Sequence, residues 1–504
     1  MFQVPSLSDL NVAAALPAVL LSLGACVFLI VDLFVPRERK QITALLAAGG
    51  LMTSLVLALL SLAGVVTFGD GEDAFFGMYI ADKFTDMVNV IVLVTSLLGV
   101  MVAYNYLERT GMQRGEYYYL LLFTTVGVMF MGGAGDLVVI FVAIELLSIP
   151  LYILSGFRRP QEQSEESAMK YFLLGAFSSA FLVYGIALIY GATGTSNLRE
   201  IWQSVDNVVA GDTSAQFLLL SGVGLSLVGL GFKVAAAPFH MWTPDVYQGA
   251  PTSVVAYMSV AAKVGGFAAL LRVLVAGLSN FALNNGVSAA WIDIVWLLAA
   301  ATMIVGNFIA IVQSDLKRML AYSSIAHAGY ILIGVAAAGV PSVADEAARS
   351  VLIYLMAYAF TNVGAFSVII AIERDDASNT GLGSMRGLAR TQPLLAAAMA
   401  VFMLSLTGIP LTAGFVGKWF VFKAAIAADL LPAAIIGVLT SVISAYYYLR
   451  IVWMMYFEDG DGEAAVPQAL GWAIGIAAIG TLVFGILPYL LSDMAREITL
   501  AFGG

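Results

Sequence analysis

The sequence predicts an all-α polytopic membrane protein of about fourteen transmembrane helices, and three observations predict it. Of 504 residues, 61% are hydrophobic and only 11% are charged, where soluble domains carry about 25% charged residues. The apolar residues gather in runs of roughly 20, the length that crosses a hydrocarbon core as a helix. Basic residues gather in every second loop between those runs, as expected of a chain threaded back and forth through a bilayer.

The first run, 10–34, lacks a basic leader and is too long for a signal-peptide core, so it reads as a span. Runs at 42–67 and 84–106 follow, then a short one at 117–132. The fifth, 137–156, carries Glu145 at its centre, and the sixth, 168–191, opens beside Lys170. The seventh, 215–240, contains GLGFKVAAAPF, in which Lys233 precedes Pro238 and His240 ends the run. The eighth, 251–277, holds Lys263 near its middle. Runs at 289–312, 318–340 (with His327) and 349–372 come next. The twelfth, 393–428, is far too long for one straight helix and contains Pro410 and Gly414, so a broken helix is expected. Runs at 431–457 and 467–491 complete the count.

Loops after odd-numbered spans hold Arg37, Arg39, Lys40, Arg109, Arg114, Arg158, Arg159, Lys317, Arg318, Arg374, Arg386, Arg390 and Arg450. Loops after even-numbered spans, with the C-terminal tail, hold only Arg199, Arg349 and Arg496. By the positive-inside rule the odd loops are cytoplasmic and both termini lie outside. An error of one span would scramble this alternation.

Two features suggest an internal repeat. Asp136-Leu137 opens the fifth span and Asp315-Leu316 precedes the tenth. At nearly the same separation, Lys233 lies in one Gly/Pro-interrupted segment and Lys418 in another, GIPLTAGFVGKWF. Interrupted helices at matching places of two halves point to a transport site. Five spans, an odd number, separate the matched positions, so the halves must be inverted relative to one another.

Ionisable groups at membrane depth are costly and usually mark an ion pathway. Glu145, Lys233, Lys263 and Lys418 are the candidates for moving a proton. Desolvation favours a neutral lysine and a nearby carboxylate favours a charged one, so making and breaking a Glu145–Lys233 pair would switch proton retention. His240 and His327 are candidate relays, because imidazole changes charge near neutral pH. Lys170 starts its span near the cytoplasmic side, where snorkelling to the interface competes with function. Lys83, between Asp82 and Asp86, reads as an interfacial cluster, and Lys423 and Arg272 read as anchors. The alternative for the whole set is a scaffold whose buried charges only hold helices together.

Soluble and redox chemistry find little support. One cysteine, Cys26, and two histidines cannot ligate an iron–sulfur cluster or a typical structural zinc. The net charge of −10 does not suggest nucleic-acid binding. The glycines of GLGSMRG, Gly381 to Gly387, have no strand before them and no nucleotide fingerprint.

The stretch GFKVAAAPFHMWTPDVYQGAPTSVVAYMSVAAKVGGFAALLR, Gly231 to Arg272, resembles the most characteristic region of the antiporter-like membrane subunits of respiratory complex I. Its PFH-W-PD and APT elements are shared with multi-subunit sodium/proton antiporters, while DVYQGAPT is more similar to the N-type subunit. IELLSIPLYILSGF, MKYFLLGAFSSAF, DLKRMLAYSSIAHAGY and GIPLTAGFVGKWFVF resemble the same family. The resemblance covers nearly the whole chain.

It implies a fold with two inverted five-helix repeats and broken helices 7 and 12. The corresponding domains are an N-terminal three-helix segment (1–110), a first repeat (117–277), a second repeat (289–457) and a C-terminal helix with its tail (467–504). It matches Glu145 to a pair partner on the fifth helix, and Lys170, Lys233, Lys263 and Lys418 to lysines of the sixth, seventh, eighth and twelfth. It also implies a proton-translocating subunit of NADH:quinone oxidoreductase in a bacterial cell membrane. Partners would be M-type, L-type and the small K-, A- and J-type subunits, with lipid around them. NAD, FMN, iron–sulfur clusters and quinone would reside in partner subunits, including a peripheral NADH-oxidising arm. A stand-alone sodium/proton antiporter subunit is the rival within the resemblance.

Overall fold

The computed structural model of the chain describes residues 9–36, 39–69, 73–210, 213–281, 291–374 and 378–500. Arg37, the start of the predicted ninth span at 289, and the outer ends of the first and last predicted domains lie outside these residues.

The chain runs through α1 (Leu16–Asp32), α2 (Gln41–Leu62), a two-stranded antiparallel hairpin of β1 (Asp73–Ala74) and β2 (Tyr79–Ile80), α3 (Lys83–Arg109), α4 (Glu116–Gly132), α5 (Leu137–Ser155) and α6 (Glu162–Thr193). Then come α7 (Leu198–Ala210), α8 (Thr213–Val234), α9 (Trp242–Gly249) and α10 (Thr252–Leu270), which widens into a π-helical end at Leu271–Gly277. The remaining helices are α11 (Ile292–Ile311), α12 (Leu316–Ala337), α13 (Ala344–Ile372), α14 (Leu388–Thr391), α15 (Pro393–Thr407), α16 (Ala413–Ala427), α17 (Leu431–Phe457), α18 (Gln468–Ile486) and α19 (Tyr489–Met494).

Among the described residues twelve helices are long and apolar enough to cross a membrane. Two expected spans fall outside that count for physical reasons. The fourth, α4, has only 17 residues, about 25 Å of helix. The twelfth is divided into α15 and α16 at Gly408–Thr412, where Gly408 and Leu411 take positive φ. The seventh run breaks too: α8 ends at Val234, Ala235 has φ 63°, and Pro238 offers no N–H to continue the ladder. Helices α6 and α13 extend beyond the apolar runs that predict them, because hydropathy marks the bilayer and not the helix end.

Helices α10 and α13 are wholly enclosed and form the centre of the bundle. Two stretches of chain are built alike around them. Asp136 caps α5 by accepting from Val138 N, takes a bond from Ser196 Oγ, and Leu137 N donates to Ser196 O. Asp315 caps α12 by accepting from Arg318 N, takes one from Thr380 Oγ1, and Leu316 N donates to Thr380 O. Each aspartate thus caps its helix and bridges to the segment following the next long helix. The helix pairs before them match as well. A Cβ on Gly127 would lie 2.6 Å from Leu147 N, and one on Gly306 2.6 Å from Ala326 N. Both crossings are therefore backbone against backbone, which only glycine allows.

The predicted anchor Arg272 is instead 1% exposed. Its guanidinium grips Asp82 through Nη1 (2.9 Å) and Nη2 (2.7 Å), and also donates to Gly132 O and Thr85 Oγ1. The pair ties the far end of the Lys263 helix to the start of α3. A long apolar run cannot reveal that its one arginine faces protein rather than the interface.

Candidate functional site

Three of the candidate lysines and one histidine lie sealed inside the bundle, and Lys317, at the start of α12, is buried as well and donates to Ala250 O at 2.8 Å. Lys233, Lys263, Lys418 and His327 are 3%, 2%, 4% and 2% exposed, so none reaches bulk water as the structure stands. Lys233 ends α8 and Lys418 sits in α16, each beside a helix break, while Lys263 lies within α10. Helix α12, which carries His327, packs against both α10 and α16.

The ammonium groups meet neutral oxygens. Lys263 Nζ donates to Val234 O (3.1 Å), a carbonyl freed where α8 ends. Lys418 Nζ donates to Leu406 O (3.0 Å), Thr407 O (2.9 Å) and Ser441 Oγ (2.8 Å), and lies 4.8 Å from the Tyr330 ring centroid. Breaking a helix at depth exposes such carbonyls, and a cation satisfies them. None of the three lysines pairs with a carboxylate among the described residues. They are held by dipoles that do not change charge, so a lysine can release its proton without stranding a carboxylate.

The expected Glu145–Lys233 contact is indirect. Lys233 Nζ donates to Ser148 Oγ at 2.6 Å, and Ser148 lies one helical turn beyond Glu145 on α5. The Glu145 carboxylate accepts from Ser179 Oγ on α6. Each group thus meets its own serine, and no direct ion pair joins Glu145 and Lys233.

His327 joins the second half of the set. Its Nδ1 meets Tyr354 OH at 2.7 Å and its Nε2 meets Tyr448 OH at 3.1 Å. Tyr448 OH also bonds Ser323 Oγ. Tyr330, under the Lys418 ammonium, accepts from Asn307 Nδ2 (3.0 Å), and Asn307 Oδ1 accepts from Tyr447 OH (2.9 Å). Near Lys263, Asn362 Nδ2 donates to Ser259 Oγ at 2.6 Å.

Two candidates fall outside this buried set. Lys170 pairs with Glu166 and Asp245, both at 2.7 Å, with its side chain 42% exposed. Arg318 holds the other Asp245 oxygen at 2.8 Å, so Asp245 clamps α6, α9 and α12 together. Burial pushes the Asp245 carboxyl up, but bonds from Lys170 and Arg318 outweigh it and hold the group below the usual carboxylate range. His240 is half-buried beside the α8 break, and its Nδ1 has no protein partner; it touches none of the lysines.

The sequence reading missed Ser148, Ser179, Tyr354, Tyr448, Ser441 and Asn307. The available signal was hydroxyl and amide side chains inside apolar runs. Among the described residues no group of three or more His, Cys, Asp or Glu side chains is arranged to hold a metal ion.

Lysines buried beside two broken helices define a polytopic membrane protein with the architecture of an ion transporter. A family model described as "NADH:quinone oxidoreductase/Mrp antiporter, TM" matches residues 134–444. The chain is 45% identical over 495 residues to NADH-quinone oxidoreductase subunit N 1 of Herpetosiphon aurantiacus, covering 96% of each chain. It is 43% identical to subunit N of Trichlorobacter lovleyi, covering 97% of each. Respiratory complex I of Thermus thermophilus contains a chain that superposes with a TM-score of 0.78 at 34% identity, over 97% of this chain and 100% of that one. A chain of the Mrp complex from Dietzia sp. shares the fold, with a TM-score of 0.79 at 21% identity over 96% of each. The chain belongs to the N-type subunits of the NADH:quinone oxidoreductase/Mrp antiporter family.

Proposed function

We propose that this chain is a proton-translocating membrane-arm subunit of a bacterial NADH:quinone oxidoreductase, driven by quinone reduction in other subunits. The observation that carries the reading is the row of sealed lysines bonded only to neutral oxygens, within an N-type chain. Lys233 serves as the loading lysine, tuned by Glu145, which lies one turn from the Ser148 that Lys233 bonds. Lys263 is the central relay, His327 passes protons between tyrosine hydroxyls, and Lys418 is the terminal donor or acceptor. Lys170 and His240 are peripheral in this scheme.

The subunit carries no redox centre, since one cysteine and two histidines are too few to hold a cluster. NAD, FMN, iron–sulfur clusters and quinone belong to its partners, and M-type, L-type and small membrane subunits flank it. The chain crosses the cell membrane fourteen times with both termini outside, counting α4 and the α15–α16 pair as crossings. The alternating basic loops support this, as do the matched Asp136 and Asp315 caps for two inverted five-helix repeats at 117–277 and 289–457.

The test is Lys263→Arg in the assembled enzyme. A relay must exist in two protonation states, and arginine does not release its proton at ordinary pH. Moving one charge against 200 mV requires roughly 4–5 kcal/mol, which a permanently charged group cannot deliver by protonation change. Quinone-dependent turnover and proton uptake, measured together in vesicles, should show the variant assembled but pumping fewer protons per electron pair. Full stoichiometry with arginine would favour the scaffold reading.

A further inference from the structure

We propose that Tyr152 is a gate residue: its ring lies between a water-accessible cavity at the cytoplasmic edge and buried Lys233. A cavity of about 390 Å³ opens between the ends of α4, α5 and α6, and its lining includes Arg114, Glu116, Tyr119, Tyr152, Gly156 and Arg159. That volume holds about ten water molecules, and the charged groups at its mouth draw water in. The innermost of these residues is Tyr152, 7% exposed. On its other side, Lys233 Nζ lies 5.9 Å from the Tyr152 ring centroid. Open cavity and sealed lysine are thus one aromatic ring apart. The cytoplasmic assignment rests on the topology proposed above.

The ring is held as a movable part would be. It packs edge-on against Tyr171 (centroids 4.7 Å) and Phe172 (5.8 Å) of α6. Its hydroxyl fits over Gly175, where a Cβ would lie 2.0 Å from the tyrosine oxygen. The hydroxyl needs that missing side chain to stay closed. Tyr171 stacks flat on Trp242 (4.4 Å) and is likewise 5.9 Å from Lys233, but it is fully buried and lines no open cavity. Tyr152 is the member of the pair that faces both sides.

With the ring swung into the cavity, water reaches Ser148, the hydroxyl that contacts Lys233. In the closed state the Ser148 hydroxyl donates to Ile144 O; once it turns to the neutral Lys233 amine, a hydronium in the cavity passes a proton to Oγ as the hydroxyl proton moves to the amine. One positive charge moves inward, the serine is unchanged, and no other reactant is consumed. With the ring closed, the same lysine is cut off from the cavity while it exchanges with the interior. Tyr152 is a positioning residue in this scheme and carries no proton itself.

The test reads water access directly, using the assembled enzyme with Cys26→Ser and a reporter, Ser148→Cys. A small, membrane-impermeant methanethiosulfonate reagent is added to one face of sealed vesicles at a time. With Tyr152 present, labelling from the cytoplasmic face should be slow; Tyr152→Ala should accelerate it at least tenfold, and Tyr152→Phe should leave it slow. Reagent on the opposite face should give no acceleration. Should Tyr152→Ala fail to assemble, Gly175→Ala displaces the same ring and should accelerate labelling likewise. Equal rates with tyrosine and with the ring removed or displaced would overturn the proposal, as would acceleration only from the opposite face. Because labelling needs no turnover, a pumping Lys263→Arg enzyme would defeat the relay assignment and leave this result standing.

Discussion

Removing the Asp82 carboxylate should destabilise the bundle strongly, and removing Arg272 as well should restore much of the loss. Arg272 is 1% exposed along its side chain and Asp82 15%. Asp82→Ala deletes two charge-assisted bonds of 2.9 and 2.7 Å and leaves a guanidinium whose remaining partners are neutral oxygens and the Phe84 ring at 4.7 Å. Breaking one side of a buried pair costs about 3–5 kcal/mol, much of it from stranding the other charge. In a chain this long each kcal/mol moves the unfolding midpoint by roughly 1 °C, so a fall of about 3–5 °C is expected. The double variant, Asp82→Ala with Arg272→Met, removes the stranded charge and keeps most of the side-chain volume. It should recover more than half of that fall. Midpoints are compared in one detergent at one scan rate, because unfolding of such a protein is irreversible. A shift of less than about 1 °C for Asp82→Ala, or strictly additive losses in the double variant, would refute the reasoning.

Three further outcomes are expected. Tyr448→Phe and Tyr354→Phe each remove one hydroxyl from a His327 nitrogen without changing ring packing; each should lower proton uptake per quinone reduced while assembly is kept, and normal stoichiometry in both would exclude His327 from the relay. Gly306→Ala places a methyl 2.6 Å from Ala326 N, and such overpacking costs about 1–3 kcal/mol, so a lower thermal midpoint is expected and an unchanged one would contradict the close crossing. The Asp245 carboxyl is held below its ordinary value of 3.8. Its contribution is therefore complete above that value and fades as pH falls through the lower folded-state value. Asp245→Asn should thus weaken the α6–α9–α12 clamp throughout pH 5–8, measured as faster proteolysis of the adjoining loops; a variant effect appearing only in acid would contradict this.

Depth was legible in the sequence and direction was not. Apolar run length located every helix of 15 residues or more, and the cost of burying Lys233, Lys263 and Lys418 marks them in the sequence itself. The breaks near Pro238 and Pro410 were equally readable, because proline and glycine act locally. Run length cannot say which way a side chain faces, and so Arg272 was read as an anchor. Nor does it register serine or tyrosine, whose hydroxyls barely alter the hydropathy of a run. That is why Ser148, which meets Lys233, Ser179, which meets Glu145, and the hydroxyls around His327 are set by the packing and not by the pattern of the run. The helix α7 and the hairpin at 73–80 were missed as well, being too short or too polar to count as spans.

The matched caps of α5 and α12 have a consequence for direction. At the separation that relates Asp136 to Asp315, Glu145 corresponds to Ser324, Ser148 to His327 and Ser179 to Tyr358. The contacts correspond as well. Ser179 donates to Glu145 in one half and Tyr358 to Ser324 in the other. Matching positions thus hold a carboxyl group in one stretch and a hydroxyl in the other, with an imidazole where the first has an alcohol. Lys233 bonds a serine on the helix that carries this carboxyl group, and Lys418 bonds two carbonyls and a serine. Two stretches built alike and carrying equal chemistry would give a proton no preferred direction. Here the matched caps and glycine crossings carry unlike side chains, and under the proposed relay that difference gives the path a direction.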